Sequence, residues 1–351
     1  MNTARVAIDA MGNSTGGGRA VLDRCIERAL AHPHLHARVF CTRPQDLAVR
    51  WRTHPRVTPH PVARAAGALG RVWWYTQGLR EAVDQGVDVV LSLNAMGAGR
   101  PPQVNLLQQP MIEANDGLAR QPLRFVQRMM MVRALTTASC QRAQAVVAQT
   151  PSMARVARRE LGVPPDAVHV LTPDVPWPID CHEARSDHVI LYVGHDEPYK
   201  NVAGLVEAVA LARRTHPGLR LVTTTRAPQA PSWWQSVGPQ GPRALRRLYA
   251  TSTLLVLPSL TETVGLPMLE AMAAGLPVLA SDRSFARDVC GARNAHFVDT
   301  QDARATARAI TALIDAPDQR AQLAARGLQR VQALQDARPY EQLIELLLQH
   351  T

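Results

Sequence analysis

Two glutamates separated by seven residues, Glu262 and Glu270, frame residues 258–282, and their surroundings decide what chemistry they could do. An apolar run at 253–257 precedes the first, and an expected helix over 266–274, with Pro267 in its first turn, carries the second. Strand, loop and helix in that order place Glu262 at the carboxyl end of a strand and Glu270 early in the helix, both bordering the crevice where α/β sheets bind ligands. A carboxylate there can accept hydrogen bonds from both hydroxyls of a ribose. The helix start at Gly265 offers N–H groups and a positive dipole end to a phosphate. A capping loop with two solvated acids would explain the glutamates alone, but not Gly265, Pro267, Gly275 and Pro277 in register with them.

A second loop, Gly194 to Asn201, follows the almost wholly apolar run 188–193. Of the 39 basic residues, Lys200 alone is not an arginine. A chain that writes its cations as arginine has kept one lysine at the end of a glycine turn, where a compact, flexible point charge suits a phosphate; the bland alternative is a chance surface lysine. Near the start of the chain, Gly12, Gly16, Gly17 and Gly18 lie between an apolar run ending at Asp9 and a helical stretch over 19–31. Glycines there let backbone N–H groups approach an anion, and a plain strand-to-helix turn is an equal reading. The spacing is not G-x-G-x-x-G and no Lys-Ser/Thr follows, which argues against a dehydrogenase or a P-loop NTPase. There is no Asp-x-Asp triplet, no metal-spaced His/Cys/carboxylate cluster and no nucleophile elbow. The expectation is therefore no metal.

Residues 258–282 resemble the donor-binding signature of family 4 of the retaining glycosyltransferases, glycosyl transferases group 1. Residues 191–201 resemble the same family's strand–Gly-Arg-x4-Lys loop: Gly194 and Lys200 match, and His195 stands where the family usually has Arg. The glycines at 16–18 resemble its first glycine loop. Residues 104–113, with Ser92 to Asn94, resemble its region beside the acceptor, where Gln109 fills the place of a frequent His; a glutamine can orient a hydroxyl but cannot act as a base. The resemblance implies an α/β GT-B fold, two Rossmann-like parallel-sheet domains facing each other across a cleft. It further implies retaining, metal-independent transfer of a hexose from a nucleotide-diphosphate sugar to a glycan, lipid-linked or other acceptor hydroxyl. Lys200 and Glu262 would be catalytic. Gly16, Gly17, Gly18, Gly194, His195, Lys200, Glu262, Thr263, Val264, Gly265, Leu266 and Glu270 would hold the donor, with Asn94 and Gln109 on the acceptor side. The nucleotide sugar is a co-substrate, and no cofactor is implied. Two alternatives stay open: a non-catalytic glycosyltransferase-like subunit, because of His195 and of Val264 where the family often has Phe, and a nucleotide-sugar epimerase or hydrolase, which would share the fold.

Positioning these groups requires parallel sheets, and the pattern supplies them. Short β-branched runs at 5–9, 37–41, 87–91, 104–108, 145–148 and 168–171 alternate with helical stretches such as 19–31, 78–85 and 122–139. Three prolines within 173–178 forbid regular structure. A second series then follows: strands at 188–193, 219–223, 253–257 and 277–280, and a helical closing third broken by Pro339. The expected domains are 1–172, an interdomain linker 173–187, 188–335, and a last helix 336–351 crossing back to the first domain. Net charge is +10, with 21 basic and 13 acidic groups in residues 1–180. Without an Arg/Lys run or aromatic platforms this argues against nucleic acid as the partner and fits an anionic membrane surface or anionic substrate better, with a basic nucleic-acid-binding protein kept as a third reading. Residues 122–133, where Arg124, Arg128 and Arg133 flank apolar positions, could lie on such a surface, although a core helix is the favoured reading. The opening residues lack a signal-peptide layout, so a cytoplasmic protein is expected, peripheral on the inner membrane face if it meets the bilayer. The five scattered cysteines read as reduced.

Overall fold

The computed structural model describes residues 4–14, 16–83, 86–97, 102–109, 123–175, 185–227 and 229–351. The chain forms two compact units, the first comprising Met1–Pro173 and Arg338–Thr351 and the second Asp174–Ala337. Each contains one sheet whose strands are all parallel.

In unit 1 the elements run β1 (Ala4–Asp9), α1 (Gly16–Ala31), β2 (Leu35–Cys41), α2 (Val49–Arg52), β3 (Val57–Pro61), α3 (Gly67–Trp73), α4 (Leu79–Val83), β4 (Val89–Ser92), β5 (Gln103–Leu107), α5 (Leu123–Cys140), β6 (Ala145–Ala148), α6 (Pro151–Arg159) and β7 (Val168–Val170). The strand order is β3-β2-β1-β4-β5-β6-β7. The helix expected to begin at Gly78 already starts at Gly67 and passes through a π-type turn, Trp74–Gly78, on its way into α4. That turn brings Trp74 and Tyr75 into the core. Gly78 lies against the Trp73 ring, where a Cβ would come within 2.8 Å. β4, β5 and β6 are buried throughout, as parallel strands covered on both faces must be.

β5 nevertheless carries polar side chains into that interior. Gln103 Nε2 donates to the Gly97 carbonyl (2.7 Å) and to Asn105 Oδ1 (2.6 Å), and Asn105 Nδ2 donates to Ser139 Oγ on α5 (3.0 Å). The Ser139 hydroxyl closes the set on the Gly97 carbonyl. Buried amides are tolerable because they are paired, and the set fixes the backbone that leaves β4.

The final helix, α13 (Pro339–Leu348), packs on α1 with Tyr340, Leu343, Ile344 and Leu347 buried; Arg28 pairs with Glu341 at 3.1 Å, and the Arg24 guanidinium lies 5.5 Å from the Tyr340 ring centroid.

In unit 2 the elements are β8 (Val189–Tyr192), α7 (Val202–Ala212), β9 (Arg220–Thr223), β10 (Trp234–Ser236), α8 (Pro242–Thr251), β11 (Leu254–Leu257), α9 (Leu266–Ala273), β12 (Val278–Ser281), α10 (Ser284–Cys290), β13 (His296–Val298), α11 (Ala303–Asp315) and α12 (Pro317–Asp336). The order is β10-β9-β8-β11-β12-β13. One continuous core holds Leu191, Leu205, Leu255, Met268, Leu279 and Ile310. Two residues of the expected linker, Val175 and Arg185, are packed into this unit. Val175 is buried in its core, and Arg185 donates to the carbonyls of Tyr249 (2.8 Å), Ser252 (3.3 Å) and Ala274. Residues 176–184, most of the expected linker, lie outside the described residues.

Candidate active site

Parallel sheets bind ligands where the strand order changes direction, outside the carboxyl ends of the two strands involved. In unit 2 those strands are β8 and β11, with β9 and β10 on one side and β12 and β13 on the other. The loops that follow them are the lysine loop, 194–200, and the glutamate loop, 258–265, the two segments singled out by sequence. The structure brings them together. Leu260 N–H donates to the Tyr199 carbonyl at 2.8 Å, and Lys200 Nζ meets Glu262 Oε1 at 2.5 Å. Only 16% of the Lys200 side chain and 8% of that of Glu262 are exposed, so neither charge is well hydrated and each depends on the other. The Lys200 ammonium also lies 5.3 Å from the Tyr199 ring centroid.

The aim of the lysine is set by its neighbour. Asn201 adopts the left-handed conformation (φ 52°) that asparagine tolerates better than most residues. Its Nδ2 donates to the Thr300 carbonyl (2.8 Å), while Thr300 Oγ1 donates to the Pro258 carbonyl (2.9 Å). The exits of β8, β11 and β13 are thereby fastened to one another.

Gly265 ends the glutamate loop in a left-handed conformation (φ 72°) and starts α9, whose N-terminus no side chain caps. A Cβ at this position would lie 2.9 Å from Met268 Cε and 3.1 Å from Leu257 Cδ2, so glycine is required twice over. The uncapped helix start carries the dipole's positive end. Of the expected donor contacts here, Val264 is packed in the core and Leu266 lies against it; these residues can present backbone, not side chain, to a ligand. Thr263 is half-buried. Glu270 lies one turn along α9, where its Oε2 accepts from Tyr249 Oη at 2.7 Å. Burial pushes the Glu270 carboxyl above the usual range, and the tyrosine bond partly offsets this. At the lysine loop the His195 side chain is exposed, and its carbonyl accepts from Tyr192 Oη at 2.9 Å.

In unit 1 the order changes direction between β1 and β4. Gly16, Gly17 and Gly18 form the first residues of α1 beyond β1, exposed or half-buried. Asn94, just past β4, is buried and donates through Nδ2 to the Met11 carbonyl, so it acts first as a strut between the two loops. Gln109 is half-buried two residues beyond β5, and residues 110–122 lie outside the described set.

Sequence reasoning passed over the group that organises this end of the sheet. Asp9, the buried last residue of β1, accepts from Trp74 Nε1 (3.0 Å), Ser92 Oγ (3.1 Å) and Met11 N (3.4 Å). Desolvation raises its pKa from 3.8 to about 6 despite these three donors. Tyr75 Oη donates to the same Met11 carbonyl at 3.3 Å. A lone aspartate closing an apolar strand was the available signal. Among the described residues, no group of three or more His, Cys, Asp or Glu side chains could hold a metal ion.

Two Rossmann-like units, each with a parallel sheet and loops gathered at its switch point, define the GT-B class of glycosyltransferase folds. Solved structures agree. WaaG, a glycosyltransferase involved in lipopolysaccharide biosynthesis, is similar at a TM-score of 0.77 and 16% identity, over 97% of this chain and 99% of that one. HepE of Anabaena, solved with UDP and glucose, is similar at 0.74 and 16%, over 99% and 100%. Residues 187–316 match the model of the glycosyl transferases group 1 family. Among curated proteins, the D-inositol 3-phosphate glycosyltransferase of Acidothermus cellulolyticus is 30% identical over 195 residues, 46% of this chain and 43% of that protein. The O-antigen chain mannosyltransferase B of Escherichia coli is 34% identical over 115 residues, 29% of this chain and 30% of that protein. The chain thus spans less than half the length of these relatives. No helix among the described residues is long and apolar enough to cross a membrane.

Proposed function

We propose that this protein is a retaining, metal-independent glycosyltransferase that moves a hexose from a nucleotide-diphosphate sugar to an acceptor hydroxyl on a glycan or lipid-linked saccharide. The observation that carries the reading is the Lys200–Glu262 pair at the β8/β11 switch point, beside the uncapped N-terminus of α9. Lys200 would hold the diphosphate, joined by the backbone around Gly194 and His195 and by the helix start at Gly265. Glu262 would orient the sugar and Glu270 the ribose hydroxyls. Gly16, Gly17 and Gly18 would offer backbone N–H groups to the donor phosphates, and Asn94 and Gln109 would serve the acceptor. The bond from the anomeric carbon to the phosphate oxygen breaks as the acceptor oxygen attacks from the face the nucleotide leaves. A donor phosphate oxygen takes the acceptor's proton, so no protein nucleophile or cofactor is needed. Catalysis then consists of orientation and stabilisation of the charge that develops on the diphosphate.

A thermal-shift screen of UDP-, GDP- and ADP-sugars tests the donor, since a ligand at ~100 times its Kd adds about 2.7 kcal/mol to stability. Product analysis with and without a glycan acceptor separates transfer from hydrolysis or epimerisation. Turnover lost in EDTA and restored by Mg²⁺ or Mn²⁺ would refute metal independence. A non-catalytic subunit is the second reading, favoured by His195, an exposed imidazole in the place of a guanidinium; it requires that no donor be consumed.

We also propose that unit 1 meets an anionic membrane surface from the cytoplasmic side through α5, which exposes Leu123, Met130 and Met131 beside Arg128. Co-sedimentation with anionic but not zwitterionic vesicles checks it.

A further inference from the structure

The turn that opens the lysine loop is held by a residue from a different strand. Thr224 lies immediately beyond β9, the neighbour of β8. Its Oγ1 accepts from Gly194 N–H at 2.9 Å and donates to the Gly194 carbonyl at 3.2 Å, so one hydroxyl satisfies both backbone groups of the glycine. Tyr192, buried at the end of β8, donates from Oη to the His195 carbonyl at 2.9 Å, fixing the next peptide. Gly194 rests directly on that phenol: a Cβ would lie 2.6 Å from Tyr192 Oη. Two strand-end residues, Thr224 and Tyr192, thus determine the path of the chain through Gly194 and His195. Commitment of the Gly194 N–H to Thr224 also leaves the anion-facing role to the N–H groups that follow it.

We propose that Thr224 is a positioning residue for the donor diphosphate: its hydroxyl, together with that of Tyr192, sets the Gly194–His195 turn so that the following N–H groups and Lys200 converge on the phosphates. This rests on the donor reading given above. The advantage is preorganisation, because a turn already fixed loses little further conformational freedom when the anion arrives. Thr224 itself reaches the ligand only through Gly194, so its removal should affect the phosphate half of the donor and leave the nucleoside half alone.

The test compares Thr224→Val, which keeps the shape and removes the hydroxyl, with Thr224→Ser, which keeps the hydroxyl. Calorimetry uses UDP, GDP and ADP together with the corresponding nucleosides, and amide hydrogen exchange follows residues 194–200 in ligand-free protein. Thr224→Val should weaken binding of the cognate nucleoside diphosphate roughly five- to tenfold, the loss of about one well-made hydrogen bond. Nucleoside binding should be unchanged, exchange at Gly194 and His195 faster, and Thr224→Ser close to wild type in all three. Wild-type diphosphate affinity in a folded Thr224→Val protein, or equal losses for nucleoside and diphosphate, would overturn the proposal, as would unaltered exchange in the turn. If wild-type protein binds none of the three diphosphates, the donor reading fails instead, and the exchange measurement still decides whether Thr224 builds the turn.

Discussion

Removing the lysine while leaving its partner is the perturbation that probes the site most directly. In Lys200→Met the Glu262 carboxylate, only 8% exposed, loses the ammonium 2.5 Å away and keeps a site poorly reached by water. Breaking a fully buried ion pair costs about 3–5 kcal/mol. Here 16% of the Lys200 side chain is exposed, so the pair is not fully desolvated, and the expected loss is roughly 2–3 kcal/mol. Glu262→Gln leaves an amide beside an ammonium that can turn toward solvent, so it should cost less, about 1 kcal/mol. The double variant should recover much of the single-lysine loss, because no unpaired charge then remains. Urea unfolding of the four proteins gives the coupling directly. Binding should separate the roles: Glu262→Gln frees Lys200 from a competing carboxylate, so nucleoside-diphosphate affinity is kept or improved while transfer falls tenfold or more. Lys200→Met should lose tenfold to a hundredfold in diphosphate affinity. A Lys200→Met loss below 1 kcal/mol with no coupling to Glu262 would refute the buried-pair argument. Unchanged diphosphate affinity in folded Lys200→Met would show that the donor lies elsewhere.

Gly265→Ala should destabilise unit 2 by about 1–3 kcal/mol, from the left-handed backbone and the approach to Met268 and Leu257, as read by chemical unfolding. Tyr249→Phe removes the one bond that offsets burial of Glu270, so the carboxyl pKa should rise further and nucleotide affinity should fall several-fold, most at acidic pH; calorimetry between pH 5 and 8 checks both. For Asp9, folding raises the pKa from 3.8 to about 6, so the folded state favours the proton. The associated stability is fully present below pH 4 and is lost as pH rises to about 6, on the order of 3 kcal/mol. Asp9→Asn should lack this part of the slope, and unfolding curves between pH 4 and 7 that stay parallel to wild type would count against it.

The central strands and the chemistry-bearing loops were legible because they obey local rules: apolar runs such as Val189–Tyr192 and Leu254–Leu257, then glycine, then a charge. Three strands escaped notice, β3, β10 and β13, and all three are sheet edges. An edge strand needs no continuous apolar run, and it tolerates prolines like Pro59 and Pro61 because one side of its ladder is unpaired. The residues that fix the loops were harder to see. Thr224, Tyr249 and Asp9 act through partners 30, 21 and 65 positions away, and nothing in the local pattern of a threonine or tyrosine reports such a partner. Val264, which the family resemblance placed among the donor contacts, has its side chain in the core, so only its backbone is open to a ligand, and no local pattern reports that distinction.

The return of α13 to unit 1 reverses the order in which the protein can be completed during synthesis. Asp174–Ala337 is one uninterrupted stretch, so unit 2 has all its strands and helices once that stretch has emerged from the ribosome. Unit 1, although its strands are made first, waits for residues 339–348 to cover α1 with Tyr340, Leu343, Ile344 and Leu347. Until then an apolar face of the earliest-made part of the chain stays open to chaperones or to other nascent chains. Loss of a few residues at the carboxyl terminus would therefore damage the amino-terminal half of the protein and spare the half next to it in sequence.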